Sequence, residues 1–161
     1  MLARILALAL LSLSSACTGV LNEEWSVLPP EEQRRPPAVL DANEKLAEAT
    51  QTGDVTIVPL LEDGKRSTTS LIRVTGTGKV PAHFHARSAE SWYVLRGGGD
   101  LLLDRTWQRV RAGMLIHIPL GVPHAFVNRD PEGTLILDTF APGFVEGDRV
   151  WLEEGSPSDT P

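Results

Sequence analysis

The sequence predicts an all-β domain, a sandwich or barrel, preceded by one short helix. Three observations lead there. β-Branched and aromatic residues fall in short runs bounded by Gly, Pro or Asp. Twelve prolines and fourteen glycines favour turns over long helices. The gaps between runs hold turn chemistry, such as Glu62-Asp63-Gly64, Gly97-Gly98-Gly99 and Asp130-Pro131-Glu132-Gly133. At 161 residues the chain is enough for one domain. A formal charge of -6 with no Lys/Arg run argues against a nucleic-acid surface.

The N-terminus reads as a targeting segment. Arg4 makes it positive, Ile5 to Leu13 is an apolar run too short to span a bilayer, and small residues follow. The single cysteine, Cys17, comes directly after Ser14-Ser15-Ala16. This resembles a bacterial lipoprotein signal, whose cysteine becomes the lipidated first residue of the mature protein. Ser14 departs from the leucine usual at that position, and a plain secretory signal cut near Ala16 is the alternative. The expected organisation is a signal peptide over 1–16, a lipidated N-terminus and Pro-rich tether over 17–40, the folded domain over 41–152 and a disordered tail over 153–161. The chain is then exported to the bacterial cell envelope and lipid-anchored facing the periplasm, or else soluble in the periplasm or secreted. With Cys17 lipidated, no disulfide forms within one chain.

The elements follow in order. Asp41 to Gln51 reads as the short helix, capped by Asp41 with Glu44 three residues on, and Gly53 is placed to end it. Strand candidates are Val55–Leu61, Thr69–Thr75, Val80–His85, Ser91–Leu95, Asp100–Leu103, Gln108–Arg111, Met114–Ile118, His124–Asn128 and Thr134–Phe140. Gly97-Gly98-Gly99 is read as a hairpin turn and not a phosphate loop, because no helix follows it.

Two of the four histidines, His83 and His85, stand one residue apart on a strand candidate and so share a face. Two neutral imidazoles gain little from each other, and two charged ones repel. A shared cation is the simplest reason to place them together. Glu90 starts the next strand candidate and can bring a carboxylate to the same spot. His124 starts another and can bring a third imidazole. Such a set suits a divalent transition metal (Fe, Mn, Ni or Zn) with open positions left. His117 should face away from Ile116 and Ile118. Trp92 shares parity with Glu90, and Phe126 and Asn128 share parity with His124, so these three are candidates for the pocket lining.

The segment His83-Phe84-His85, four residues, Glu90, six residues, Gly97 resembles the first motif of the cupin superfamily. The segment Gly113, five residues, Pro119-Leu120-Gly121, two residues, His124, three residues, Asn128 resembles the second. The leading glycine of the first motif is off by one position, at Gly78. The resemblance implies a small jelly-roll β-barrel holding a metal through His83, His85, Glu90 and His124. Small cupins often pair through sheet edges, and the Val55–Leu61 strand would fit such a homodimer.

Family members include dioxygenases, decarboxylases, isomerases, epimerases and proteins that only bind a ligand. The leading expectation is a metal-dependent enzyme, dioxygenase-like or isomerase-like, acting on a small organic molecule. The alternative is a non-enzymatic lipoprotein that captures a small ligand or metal. Arg73, Arg87 and Arg96 are candidates to meet an anionic substrate, and Asp138 is the candidate titratable group beyond the ligand set.

Overall fold

The structure, a computed structural model, describes residues 36–63 and 65–152. The compact unit beginning at Val39 is the one considered below. Its helix α1 spans Ala42–Glu48, and the Asp41 side chain accepts from the Asn43 and Glu44 amides at its start. It stops sooner than the sequence suggests. Ala49 already has extended backbone (φ -71, ψ 126), so Gly53 does not end the helix. Among the described residues no helix is long and apolar enough to cross a membrane. The leader, Cys17, the Pro-rich tether up to residue 35 and the tail from residue 153 lie outside the described residues.

Ten strands follow: β1 Val55–Asp63, β2 Ser67–Val74, β3 Lys79–His85, β4 Ala89–Arg96, β5 Gly98–Leu103, β6 Thr106–Arg111, β7 Leu115–Ile118, β8 His124–Asn128, β9 Thr134–Ala141 and β10 Arg149–Trp151. They form two five-stranded sheets, ordered β1-β2-β9-β4-β7 and β10-β3-β8-β5-β6, and the pairings within both are antiparallel. This is a jelly roll. Each sheet is apolar on its inner face, so the two stack over a common core. Trp92 and Val94 from β4, Leu101 from β5, Phe126 from β8 and Ile136 from β9 pack there, each 1% exposed or less.

Two features differ from the sequence reading. The stretch Gly97-Gly98-Gly99 is not a hairpin turn: β4 lies in one sheet and β5 in the other, so the chain crosses between sheets at Gly97 (φ +76). Alternation within a strand does not tell which sheet the next strand joins. Strand β10 was not expected at all.

Gly99 faces the β8 backbone closely. A Cβ there would overlap the Val127 carbonyl and lie 2.6 Å from Phe126 Cζ. Gly99→Ala is therefore expected to destabilise the chain by roughly 1–3 kcal/mol, as overpacking does. A urea midpoint unchanged from wild type would show that the Val127 backbone and the Phe126 ring both yield.

Candidate metal centre

The face that His83 and His85 present depends on a bulge. Val80 pairs with Phe126 and His83 with His124, so β3 spends one more residue than β8 over this interval. Strict alternation from the inward Val80 would turn His83 and His85 outward. The extra residue reverses the parity and turns both into the barrel. Pro81 sits in the bulge, where a missing backbone N–H costs no ladder bond. Its carbonyl accepts a hydrogen bond from His83 Nδ1 at 2.8 Å.

The other two imidazoles are held in the same manner. His124 Nδ1 donates to the Val122 carbonyl at 3.0 Å, and His85 Nδ1 donates to Asp148 Oδ2 at 3.1 Å. All three acceptors are oxygens, so each Nδ1 carries the ring proton and each Nε2 keeps its lone pair. Asp148 is fully buried, and its other oxygen accepts from the Arg87 amide. It was not anticipated from sequence.

These lone pairs converge. Ligand atoms of His83, His85, Glu90 and His124 all lie within 4.8 Å of one another, and all four residues are buried. Glu90 Oε2 lies 2.9 Å from His124 Nε2 and 3.5 Å from His85 Nε2. None of these three atoms has a hydrogen-bond partner. Facing each other at 2.9 Å, His124 Nε2 and Glu90 Oε2 need a proton or a metal cation between them. The donor set fits a divalent transition ion with room left for another ligand. Trp92 Nε1 donates to Glu90 Oε1 at 2.6 Å and fixes the carboxylate from behind.

Burial, aided by the field of His124, holds His83 down to about 3, and burial lowers His85 as well. Both are neutral at pH 7 and so keep a lone pair free to ligate. Burial pushes the Glu90 carboxyl up, but His124, His85 and the Trp92 N–H outweigh it and bring the group to about 2. Asp138 behaves oppositely. It faces inward on β9 and accepts from Ser70 Oγ, and burial followed by the charge of Glu90 raises it to about 9. It therefore carries a proton at neutral pH.

The centre borders a cavity of about 190 Å³ that His83, Glu90 and Trp92 help to line. Of the three lining candidates from the sequence, only Trp92 is among the cavity's lining residues. Phe126 is fully buried core, 6.2 Å from the Trp92 ring, because the inner face of β8 continues past the site into the core. Asn128 ties turns together, donating to the Gly76 and Asp130 carbonyls and accepting from Thr134 Oγ1. His117 is exposed and pairs with Ser91. Arg87 and Arg96 are exposed, and Arg73 does not line the cavity. The arginine that does is Arg149, on the strand that was missed.

Comparison with known proteins agrees with this architecture. Residues 71–140 match the family model for the Cupin domain. A protein of Aquifex aeolicus, described as an uncharacterized protein, is 32% identical over 77 residues, a match spanning 48% of this chain and 62% of that one. A Klebsiella pneumoniae protein with a double-stranded β-helix domain superposes with a TM-score of 0.63 at 18% identity, covering 74% of this chain and all of that one. Streptomyces Pac13, described as a nucleoside dehydratase and seen elsewhere with uridine, superposes with a TM-score of 0.60 at 21% identity over 78% of this chain and 99% of its own. With its two motifs, its paired sheets and the match over residues 71–140, the chain carries a cupin domain.

Proposed function

We propose that the chain is a metal-dependent enzyme, dioxygenase-like or isomerase-like, that acts on a small organic molecule at the cell envelope. The observation that carries this is the facing of His124 Nε2 and Glu90 Oε2 at 2.9 Å beside a cavity. That arrangement needs a positive charge between the two atoms, and a divalent ion shared with His83 and His85 would supply it to all four residues. Bound there, such an ion would polarise a substrate carbonyl or hydroxyl, or, as iron, support oxygen chemistry. The chain's own residues supply the rest. Glu90 contributes the negative charge, and the three Nδ1 hydrogen bonds hold the rings in place. Asp138 keeps a proton beside Glu90, and the apolar walls exclude water. The Pac13 fold supports the choice of a small polar substrate, since that related barrel has been seen with uridine.

The test is elemental analysis of the soluble fragment Leu21–Pro161, purified without a chelating tag, beside His85→Ala. The expected result is close to one Fe, Mn, Ni or Zn per chain, reduced at least ten-fold in the variant. A wild type that holds no metal even after reconstitution overturns the reading. Tight small-molecule binding with no conversion would favour the ligand-capturing lipoprotein instead.

The envelope location is part of the proposal and rests on the leader. Expressed in a Gram-negative host with radiolabelled palmitate, the full chain is expected to be labelled and to sediment with membranes. Cys17→Ala is expected to lose the label. Label that persists in the variant excludes Cys17 as the attachment point.

A further inference from the structure

We propose that the cavity takes a small organic acid whose anionic group is bound by Arg149, with its apolar body against the barrel wall and its other end toward the four-ligand centre. This rests on the cavity being the substrate site of the reading above and names the substrate class. Arg149 lines the cavity, and its Nε is buried without a hydrogen-bond partner. Among the described residues no carboxylate forms an ion pair with it. A buried guanidinium donor left unpaired is costly unless something completes it.

The guanidinium is nonetheless held in place. Its Cζ lies 5.3 Å from the centre of the Trp151 ring and 5.5 Å from that of Phe144, so two aromatic faces hold it without neutralising it. The strand register points the same way. Arg149 pairs with His85 and Trp151 with His83 across β10 and β3, and the Trp151 ring sits 5.1 Å from the His83 ring. The cation therefore stands one strand away from the imidazoles, on the same cavity.

Charge and size define the ligand further. Lys79 adds a second cation to the lining. A divalent ion held by one carboxylate and three neutral imidazoles would itself leave a net positive centre, so the cavity favours an anion. Val55, Ile57 and Val80 make the wall apolar. At about 190 Å³ the space is smaller than the roughly 300–1,000 Å³ of drug-sized sites, which sets the ligand as a short-chain acid.

The experiment titrates the full chain, in detergent, with 3-methylbutanoate and with its uncharged amide. Tryptophan fluorescence gives the readout, because Trp92 and Trp151 line the cavity. Chelator-treated and zinc-loaded protein are run in parallel. The acid is expected to bind both forms, and about ten- to a hundred-fold more tightly than the amide. Arg149→Met is expected to abolish that preference while zinc content stays at the wild-type level, and Arg149→Lys to restore part of it. Equal binding of acid and amide overturns the proposal, as does failure of the acid to saturate. So does a preference that survives in Arg149→Met, or one that appears only with zinc, which would put the acid on the metal. If Arg149→Met does not fold, the wild-type acid-to-amide ratio and its reduction in Lys79→Met still decide. A chain that prefers the acid but takes up no zinc keeps the anchor and removes the metal reading, so the two fail separately.

Discussion

Asp148→Ala is expected to weaken zinc binding by about 10- to 100-fold, the usual cost of losing a group that orients a ligating histidine. The effect follows from what the carboxyl group touches. One oxygen accepts from His85 Nδ1 and the other from the Arg87 amide, and the residue is fully buried. Removal frees the His85 ring to rotate and to carry its proton on the nitrogen that should ligate. It also strands two donors away from water, at roughly 1–3 kcal/mol each. A competition titration against a chromophoric chelator measures the affinity, and urea unfolding measures the stability. Asp148→Asn keeps one acceptor and should fall between. Zinc affinity within about two-fold of wild type in Asp148→Ala would mean that packing against Phe140 and Phe144 is enough to orient the ring.

The metal-free protein is expected to be most stable near pH 6.5 and to lose stability on both sides. His83 sits at about 3 in the fold against an ordinary 6.5, so the unfolded chain takes up its proton first. Its contribution is fully present above 6.5 and is lost as pH falls toward 3, and between 6.5 and 3.8 this loss is offset by Asp138, so that the net fall there comes from His85 and Glu90. His85 is shifted in the same direction, and Glu90, lowered to about 2 from 4.5, adds to the loss at the acid end. His83 alone is worth on the order of 4–5 kcal/mol over this window. Asp138 acts with the opposite sign. Raised from 3.8 to about 9, it keeps its proton in the folded state, and its contribution is fully present below 3.8 and lost progressively as pH rises to 9. Urea midpoints of chelator-treated protein at pH 4.5, 6.5 and 9.5 should therefore peak at the middle value. A midpoint lower at 6.5 than at 4.5 would remove the histidine argument. A midpoint still rising at 9.5 would remove the one for Asp138.

Nine strands and the four converging residues were legible because each leaves a local mark. A run of β-branched residues between turns needs no knowledge of its partner. His83 and His85 were placed on one face by alternation, and the bulge at Pro81 moved the whole pair without separating them. What local pattern does not carry is the other side of each contact. Strand β10 is three residues long in a polar stretch and exists because β3 offers it an edge. Asp148 and Arg149 come with it, so the carboxyl that orients His85 and the cation in the cavity had no motif to reveal them. Phe126 shows the converse. Its inward parity was read correctly, yet parity does not say how far along the barrel the cavity extends. Asn128 lies a further two residues along and serves the turns.

The sheets of this barrel are joined by connecting turns, by the packing between them and, at Thr134, by hydrogen bonds to Gly98 and Asn128. His83 and His85 on β3 and His124 on β8 belong to one sheet, while Glu90 on β4 belongs to the other. An ion held by this set would act as a rivet through both leaves. Separating the leaves would then require a coordinate bond to break before the core could part, a barrier to unfolding more than a gain in equilibrium stability. At the envelope location proposed above, where a chain once unfolded is readily cut, occupancy of the centre would set how long each molecule lasts as well as what it can do.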